Sequence, residues 1–406
     1  MAKQSLREHL HEIVFQRYVR MPYGHLLDAA DENGEAVIPT AEECKAFLPS
    51  GLGWTTPIAD CAMFGGLYVF ALLELYSVSP SASLQKELHL LMDGLFLLSD
   101  VAEIDGFIAR GVSDDGVTHY PISSDDQVGP WILALWKALC SNAFDTAAKD
   151  RIRSYLVRTL SGLIRQDWAF PNEPVLDGTY HGSFLHGGWR DCARFLLAAA
   201  VARELGLLSA SQFEDYATAV PEGSLHTRRE IVSHGCAQDM VRDPVLQQFW
   251  ITVCSHLSVC ELIALDPNGK AGYEQAVALN AVTASRFAQD TATYTPDAFP
   301  AYDHDWRKIL PKLNRCHTYA ELLKEGRRAN DLYKEICPLR MHERKTLGQV
   351  LFSAWVAIAS GDRAVAEHTY ATLCTFLSGV DWSRVGQSYA FAAEAAMIAY
   401  EVRWRA

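Results

Sequence analysis

The chain alternates between two kinds of helical pattern. Segments near 61–76, 128–139, 192–205, 245–265, 349–360 and 387–400 are apolar almost all round. A helix without a polar face has to be enclosed by other elements. Between them lie segments near 84–101, 146–166, 209–220, 269–287 and 362–378 that carry an apolar stripe on one side only. The clearest is 147–166, where Ile152, Tyr155, Leu156, Leu160 and Leu163 share one face and Lys149, Asp150, Arg153 and Arg158 the other. A first helix over about 5–19, with Leu10, Ile13, Val14 and Tyr18 near helical spacing, supplies one more amphipathic partner. The pattern thus holds six enclosed and six amphipathic helices, with a further helix over 311–336 inside an insertion at about 288–345.

Runs of β-branched residues bounded by turns are few, so parallel strands are not expected. The loops near 30–40 and 105–122 leave room for short hairpins. Thr40 and Glu43 have the spacing of a capping box, which predicts a short helix through Phe47. Six helical hairpins, inner helices enclosed and outer ones amphipathic, predict an all-α fold: an (α/α)6 toroid with long rim loops, one domain over 1–406. A helical-repeat solenoid is the alternative, but the hairpins share no consensus at a fixed period.

Composition narrows the partners. Of 406 residues 49% are hydrophobic, enough for a large core. The net charge of −13 and the absence of a basic run argue against a nucleic-acid surface. The charged N-terminal segment reads as a helix rather than a signal peptide. The most apolar stretch, 62–76, is interrupted by Gly65, Gly66 and Glu74 and reads as too short to span a membrane. Ten cysteines without a C-x-x-C pair point to reduced thiols and a cytoplasmic location. No dinucleotide fingerprint, P-loop, H-E-x-x-H or Cys/His quartet occurs, so no cofactor or metal is expected.

The densest candidate chemistry lies in 105–136, DGFIARGVSDDGVTHYPISSDDQVGPWILALW. A polar loop there gathers Asp105, Arg110, His119, Tyr120, Asp125, Asp126 and Gln127 and runs into the apolar segment over 128–139, which contains Trp131. The other inner helices have similar preludes. WTTPIAD runs from Trp54 to Asp60, and YHGSFLHGGWRD holds His181, His186, Trp189, Arg190 and Asp191. Farther on come Gln238, Asp239, Arg242 and Asp243, then Arg340, His342 and Arg344, then Asp381, Trp382 and Arg384. In a ring whose inner helices run the same way, these junctions meet at one rim. Any single aspartate before a helix reads first as a cap. Capping does not account for the recurring Trp, His and Arg beside it. Trp54, Trp131, Trp189 and Trp306 (in AYDHDW) are platforms on which a sugar ring could stack, although a Trp beside a helix serves a core equally well.

With its WTTPIAD-x-AMF-x-GLY, DGFIARGV, HYPISSDDQ and HGGWRD segments, the chain resembles the six-hairpin glycosidase superfamily, which includes unsaturated glucuronyl and rhamnogalacturonyl hydrolases. The resemblance implies a glycoside hydrolase acting on a short oligosaccharide, uronate-containing chains included. It implies Asp126 as acid/base, with Asp125 as its rival, and Asp60 or Asp191 as the partner carboxylate. Arg110, Arg190 or His186 would face a uronate carboxylate. Trp54, His119, Tyr120, Gln127, Trp131, His181, Trp189, Trp306 and His342 would line the sugar site. Three alternatives stand beside it: a polysaccharide lyase with a Tyr or His base, a sugar epimerase or isomerase with a His base, and a non-catalytic sugar-binding protein.

Overall fold

The computed structural model describes residues 5–176, 178–237, 249–289, 294–316 and 318–405. The protein is mostly helical, 64% helix against 4% strand, which makes it all-α. In chain order the helices begin with α1 (Leu6–Ile13), α2 (Ala41–Lys45), α3 (Cys61–Val78), α4 (Ala82–Asp100), α5 (Asp125–Cys140) and α6 (Thr146–Arg165). Then come α7 (Trp189–Glu204), α8 (Ala210–Thr218), α9 (Arg228–Ser233), α10 (Phe249–Leu265) and α11 (Lys270–Gln289). The last are α12 (Tyr319–Ile336), α13 (Pro338–Glu343), α14 (Gln349–Ile358), α15 (Arg363–Ser378) and α16 (Ala390–Tyr400).

The segments expected to be enclosed are enclosed. In α3 every residue from Cys61 to Leu75 is buried, and α7, α14 and α16 are nearly as sealed. The α4, α6, α8 and α15 helices bury one stripe each, as an apolar face against a polar one requires. Among the enclosed helices α3 packs on α5, α5 on α7, α7 on α10, α10 on α14, α14 on α16, and α16 on α3. Outside them, α1 packs on α16, α4 on α3, α6 on α5, α8 on α7, α11 on α10 and α14, and α15 on α14. At Gly66 a Cβ would stand 2.6 Å from the Pro130 carbonyl oxygen, so this glycine sets how closely α3 approaches α5.

Local differences from expectation have local causes. The first helix stops at Ile13 and continues as a π-helical turn over Val14–Tyr18. The Thr40 capping box forms, with Glu43 returning the bond to the Thr40 N–H. Hairpins do not form near 30–40 or 105–122, where isolated bridges occur instead, Ala29–Gln387, Val112–His119 and Ile122–Asn172. The antiparallel pairs are instead β1 (Val19–Arg20) with β2 (His25–Leu26), and β3 (Ala169–Pro171) with β4 (Tyr180–Ser183). Cys61–Val78 is long and apolar enough to cross a membrane, contrary to the reading of 62–76 as too short, but 83% of its apolar window is buried inside the protein. The beginning of the enclosed segment expected at 245–265 lies outside the described residues.

Helix beginnings divide the molecule. The outer helices α1, α4, α6, α8 and α15 start under a side-chain cap from Ser5, Ser81, Asp145, Ser209 and Asp362. The inner helices α3, α5 and α7 have no side-chain cap, although Asp60, Ser124 and Gly188 occupy the capping positions. The polar side chains there bond to one another instead.

Candidate active site

Arg110 brings two of these helix starts together. Its guanidinium is 1% exposed, and Nη1 donates to Asp60 Oδ1 at 2.9 Å and to the Ala59 carbonyl at 2.9 Å. Nη2 donates to Ser124 Oγ at 2.7 Å and to Asp126 Oδ1 at 3.3 Å. Gln127 Nε2 donates to the same Asp60 oxygen at 2.8 Å, while Gln127 Oε1 accepts from the Met63 N–H at 3.2 Å. The Ser124 hydroxyl, instead of capping α5, donates to Asp126. A second arginine repeats the device one helix along: Arg194, inside α7, reaches Asp125 and Asp191 at 2.7 Å each. The starts of α3, α5 and α7 are thereby brought together. The four carboxylates stay half-open to solvent, with side-chain exposures of 22% for Asp60, 21% for Asp126, 34% for Asp125 and 26% for Asp191.

The two carboxyls on Arg110 are driven apart. Burial pushes Asp60 above the ordinary carboxylate range and the Asp126 charge adds to the push, against the pull of Arg110 and Gln127. Burial works the same way on Asp126, but Arg110, the Ser124 hydrogen bond and Arg194 outweigh it and hold that carboxyl below its ordinary value. Such a split makes Asp60 the readier of the two to hold a proton and Asp126 the readier to stay ionised, the asymmetry acid–base chemistry uses. Behind Asp60 lies Asp28, buried, whose Oδ1 accepts the Asp60 N–H at 2.9 Å. Burial and the nearby Asp60 raise Asp28 well above the ordinary range. Asp191 is raised as well, by burial, with Arg194 opposing.

Below this mouth the inner helices meet on aromatic rings. Phe64 lies 5.1 Å from Phe391 and 6.3 Å from Phe352, centroid to centroid, and Phe352 lies 5.7 Å from Phe391. Phe64 stands one turn into α3 from Asp60, so this apolar group packs close to the start of that helix.

The remaining expected residues divide into neighbours of the cluster and residues built into the protein elsewhere. His181 is half-buried, its Nδ1 2.6 Å from the Tyr319 hydroxyl, and it sits in the field of Arg110, Asp125 and Asp126. Burial, then Arg110, lowers its imidazole, which is neutral at neutral pH. His186 is exposed and close enough to Asp191 to lower it slightly. The Arg190 carbonyl accepts from the Ser255 hydroxyl at 3.0 Å and from Arg194 Nε at 3.2 Å.

Trp131, Trp189 and Trp306 are not open platforms. Their rings are buried and their indole N–H groups donate to the carbonyls of Leu95, Val232 and Val37. Tyr120 is likewise fully buried, its hydroxyl on the Leu48 carbonyl. Trp54 is half-buried in a small cluster with Leu52, Ile122 and Leu322. His119 is tied to Glu173 at 3.3 Å and to the Val117 carbonyl. His342 accepts from the Thr295 N–H at 2.9 Å and stacks on Tyr294, a structural post. The expected group of Gln238, Asp239, Arg242 and Asp243 lies outside the described residues.

Three participants escaped the sequence reading. Ser124 drew no notice beside Asp125 and Asp126, and Asp28 stands in a loop with no motif around it. Arg194 hides inside a helix expected to be enclosed, and an arginine in an otherwise apolar helix was the signal that could have found it. Among the described residues, no group of three His, Cys, Asp or Glu side chains is placed to hold a metal ion. The largest cavities described lie elsewhere, one of about 770 Å³ along α11 and α15 and one of about 760 Å³ between α9 and α11. The second of these is lined by Arg229, which holds Glu214 and Asp266, but neither of those carboxylates is on its wall. No family model, curated protein or solved structure matches the chain.

Proposed function

We propose that the chain is a carbohydrate-active hydrolase that cleaves a glycosidic bond of a short oligosaccharide on an (α/α)6 toroid. The observation that carries the reading is the pair Asp60 and Asp126 on one guanidinium, with carboxyls displaced in opposite directions. The cyclic order of contacts among α3, α5, α7, α10, α14 and α16 supports the toroid. In this mechanism Asp60 delivers its proton to the leaving glycosidic oxygen as the C–O bond breaks. Asp126, ionised, attacks the anomeric carbon or takes a proton from the attacking water. The roles are the reverse of those the resemblance implies, because the proton-holding environment belongs to Asp60. Arg110 positions both groups and, by its charge, keeps Asp126 ionised.

None of the ten cysteines is in a disulfide, and most are buried, which fits a reducing, cytoplasmic setting. The lyase reading is weakened because Tyr120 and His119, two of its candidate bases, are bound elsewhere. A sugar epimerase or isomerase is the second reading. It rests on His181, a neutral imidazole in the field of Asp125 and Asp126.

Turnover of saturated and unsaturated oligosaccharides by Asp60→Asn and Asp126→Asn separates these readings. Each variant should lose roughly a hundredfold or more in kcat while its melting temperature stays close to that of the wild type. Full turnover in either variant sinks the hydrolase. Deuterium uptake at a sugar carbon from heavy water, abolished by His181→Asn, transfers the case to the isomerase.

A further inference from the structure

The insertion packs directly on the chain that leads into the acid cluster. Its helix α12 begins under a capping box, Thr318 with Glu321, which makes Tyr319 the first residue of the helix. One turn on, Leu322 packs with Leu52, Ile122 and Leu176. A Cβ at Gly326 would stand 3.2 Å from Ser50 Cβ and 3.4 Å from the Trp54 ring, so α12 also lies close on the loop before α3. Ile122 is two residues short of Ser124, where α5 starts. The insertion thus rests on the segment that delivers Asp125 and Asp126.

The same segment carries the β3–β4 hairpin. The Glu173 N–H donates to the Pro121 carbonyl at 2.8 Å, Ile122 bridges to Asn172, and Pro171 pairs with Tyr180. Two strand spacings, roughly 10 Å, therefore separate the chain near Ser124 from β4. The register then slips. Ala169 pairs with Ser183, so Phe170 faces both His181 and Gly182, whose φ of 86° suits glycine. A bulge of this kind re-aims the side chains beside it.

His181 is left with one committed nitrogen and one open. Nδ1 lies 2.6 Å from the Tyr319 hydroxyl, with the two rings 6.1 Å apart and steeply inclined at 78°. Nε2 has no partner among the described residues and is not sealed from solvent. Burial, then Arg110, keeps the imidazole neutral, so it carries one N–H, and the bond made by one nitrogen decides which of them holds it. The phenol is the better donor of the two, since its oxygen lone pairs are drawn into the ring. A separation of 2.6 Å is also short for an N–H···O bond. Burial raises the Tyr319 phenol, and Asn172 draws it back as an amide donating to the phenol oxygen does, which leaves the O–H for His181.

We propose that Tyr319 is a positioning residue: its hydroxyl donates to His181 Nδ1 and so presents a protonated Nε2 to solvent as a hydrogen-bond donor beside the acid cluster. The insertion thereby completes the site from outside the inner helices. With Nε2 protonated, His181 donates to a substrate oxygen and does not abstract a proton, which bears against the isomerase. The place of the proton is a property of the protein alone, and its effect on turnover rests on the hydrolase reading.

Nitrogen NMR of the whole protein with labelled histidine tests the proposal, the His181 signals being assigned by their loss in His181→Asn. At neutral pH the wild type should show Nε2 protonated and Nδ1 bare. Tyr319→Phe, which keeps the ring and removes the hydroxyl, should fold like the wild type and mix the two tautomers. A protonated Nδ1 in the wild type, or unchanged signals in Tyr319→Phe, overturns the proposal. In turnover of the oligosaccharides, Tyr319→Phe should raise KM about tenfold with kcat little changed, the scale of one hydrogen bond. It should add nothing in a His181→Asn background, and an equal loss there would make Tyr319 merely structural. If the tautomer holds while Asp126→Asn turns over normally, the role of Tyr319 stands and the hydrolase falls. If the tautomer is absent while Asp126→Asn stops turnover, the hydrolase stands without it.

Discussion

At residue scale, Arg110 owes its place between two helix starts to the shape of a guanidinium. A planar fork can serve Asp60 from one nitrogen and Asp126 from the other, and a lysine cannot. Removing it strands two half-buried carboxylates against each other. Arg110→Gln should cost about 3–5 kcal/mol in urea unfolding, the range for breaking a buried pair from one side. It should also raise the Asp126 carboxyl, so the acid limb of the activity profile moves to higher pH. An unchanged limb would show that Arg110 is only structural. Asp60, Asp126, Arg110 and Gln127 were legible as a group because they precede apolar helices in the company of polar residues. Asp28 and Ser124 were not, since nothing along the chain shows that one holds the Asp60 N–H and the other turns away from its helix. The tryptophans misled for a physical reason: an indole can hide its ring and still satisfy its one N–H on a backbone carbonyl.

At the scale of elements, hydrophobic periodicity was a sound guide, because burial decides which faces are apolar. The enclosed α3 and the striped α6 are found within a few residues of their expected bounds. What periodicity could not reveal was interruption, such as the π-helical turns after α1 and α13, or the short α9, too brief to show a period. Contact between helices hinges on small residues. A methyl group at Gly66 would meet the Pro130 backbone at 2.6 Å, and backbone yields less readily than a flexible side chain. Gly66→Ala should therefore destabilise by about 1–3 kcal/mol despite the better helix propensity of alanine. Thermal unfolding checks it, and a stability gain would mean that α3 and α5 can separate at little cost.

Over the whole molecule, the binding of α1 to α16 joins distant parts of the chain. Glu394, fully buried in α16, accepts from Tyr68 at 2.6 Å and lies 2.9 Å from His11 Nδ1, while His11 Nε2 lies 3.2 Å from Glu87. Burial alone would lower the His11 imidazole, but Glu394 and Glu87 carry it from 6.5 up to about 10. A histidine raised on folding stabilises fully below its ordinary value and loses that stabilisation as pH climbs through the folded one. This group's contribution should thus fade between about 6.5 and about 10. His11→Gln should flatten the melting temperature over that window, whereas an unaltered slope would assign the alkaline loss to other groups.

His11 and Glu394 are 383 positions apart. Joining them closes a loop that takes in nearly every helix, so little of the chain can settle there before its far end arrives. Contacts of such span are slow to find. A growing polypeptide would leave the apolar flanks of α3 and α16 without each other until late in synthesis, and that interval is when a chaperone has most to cover.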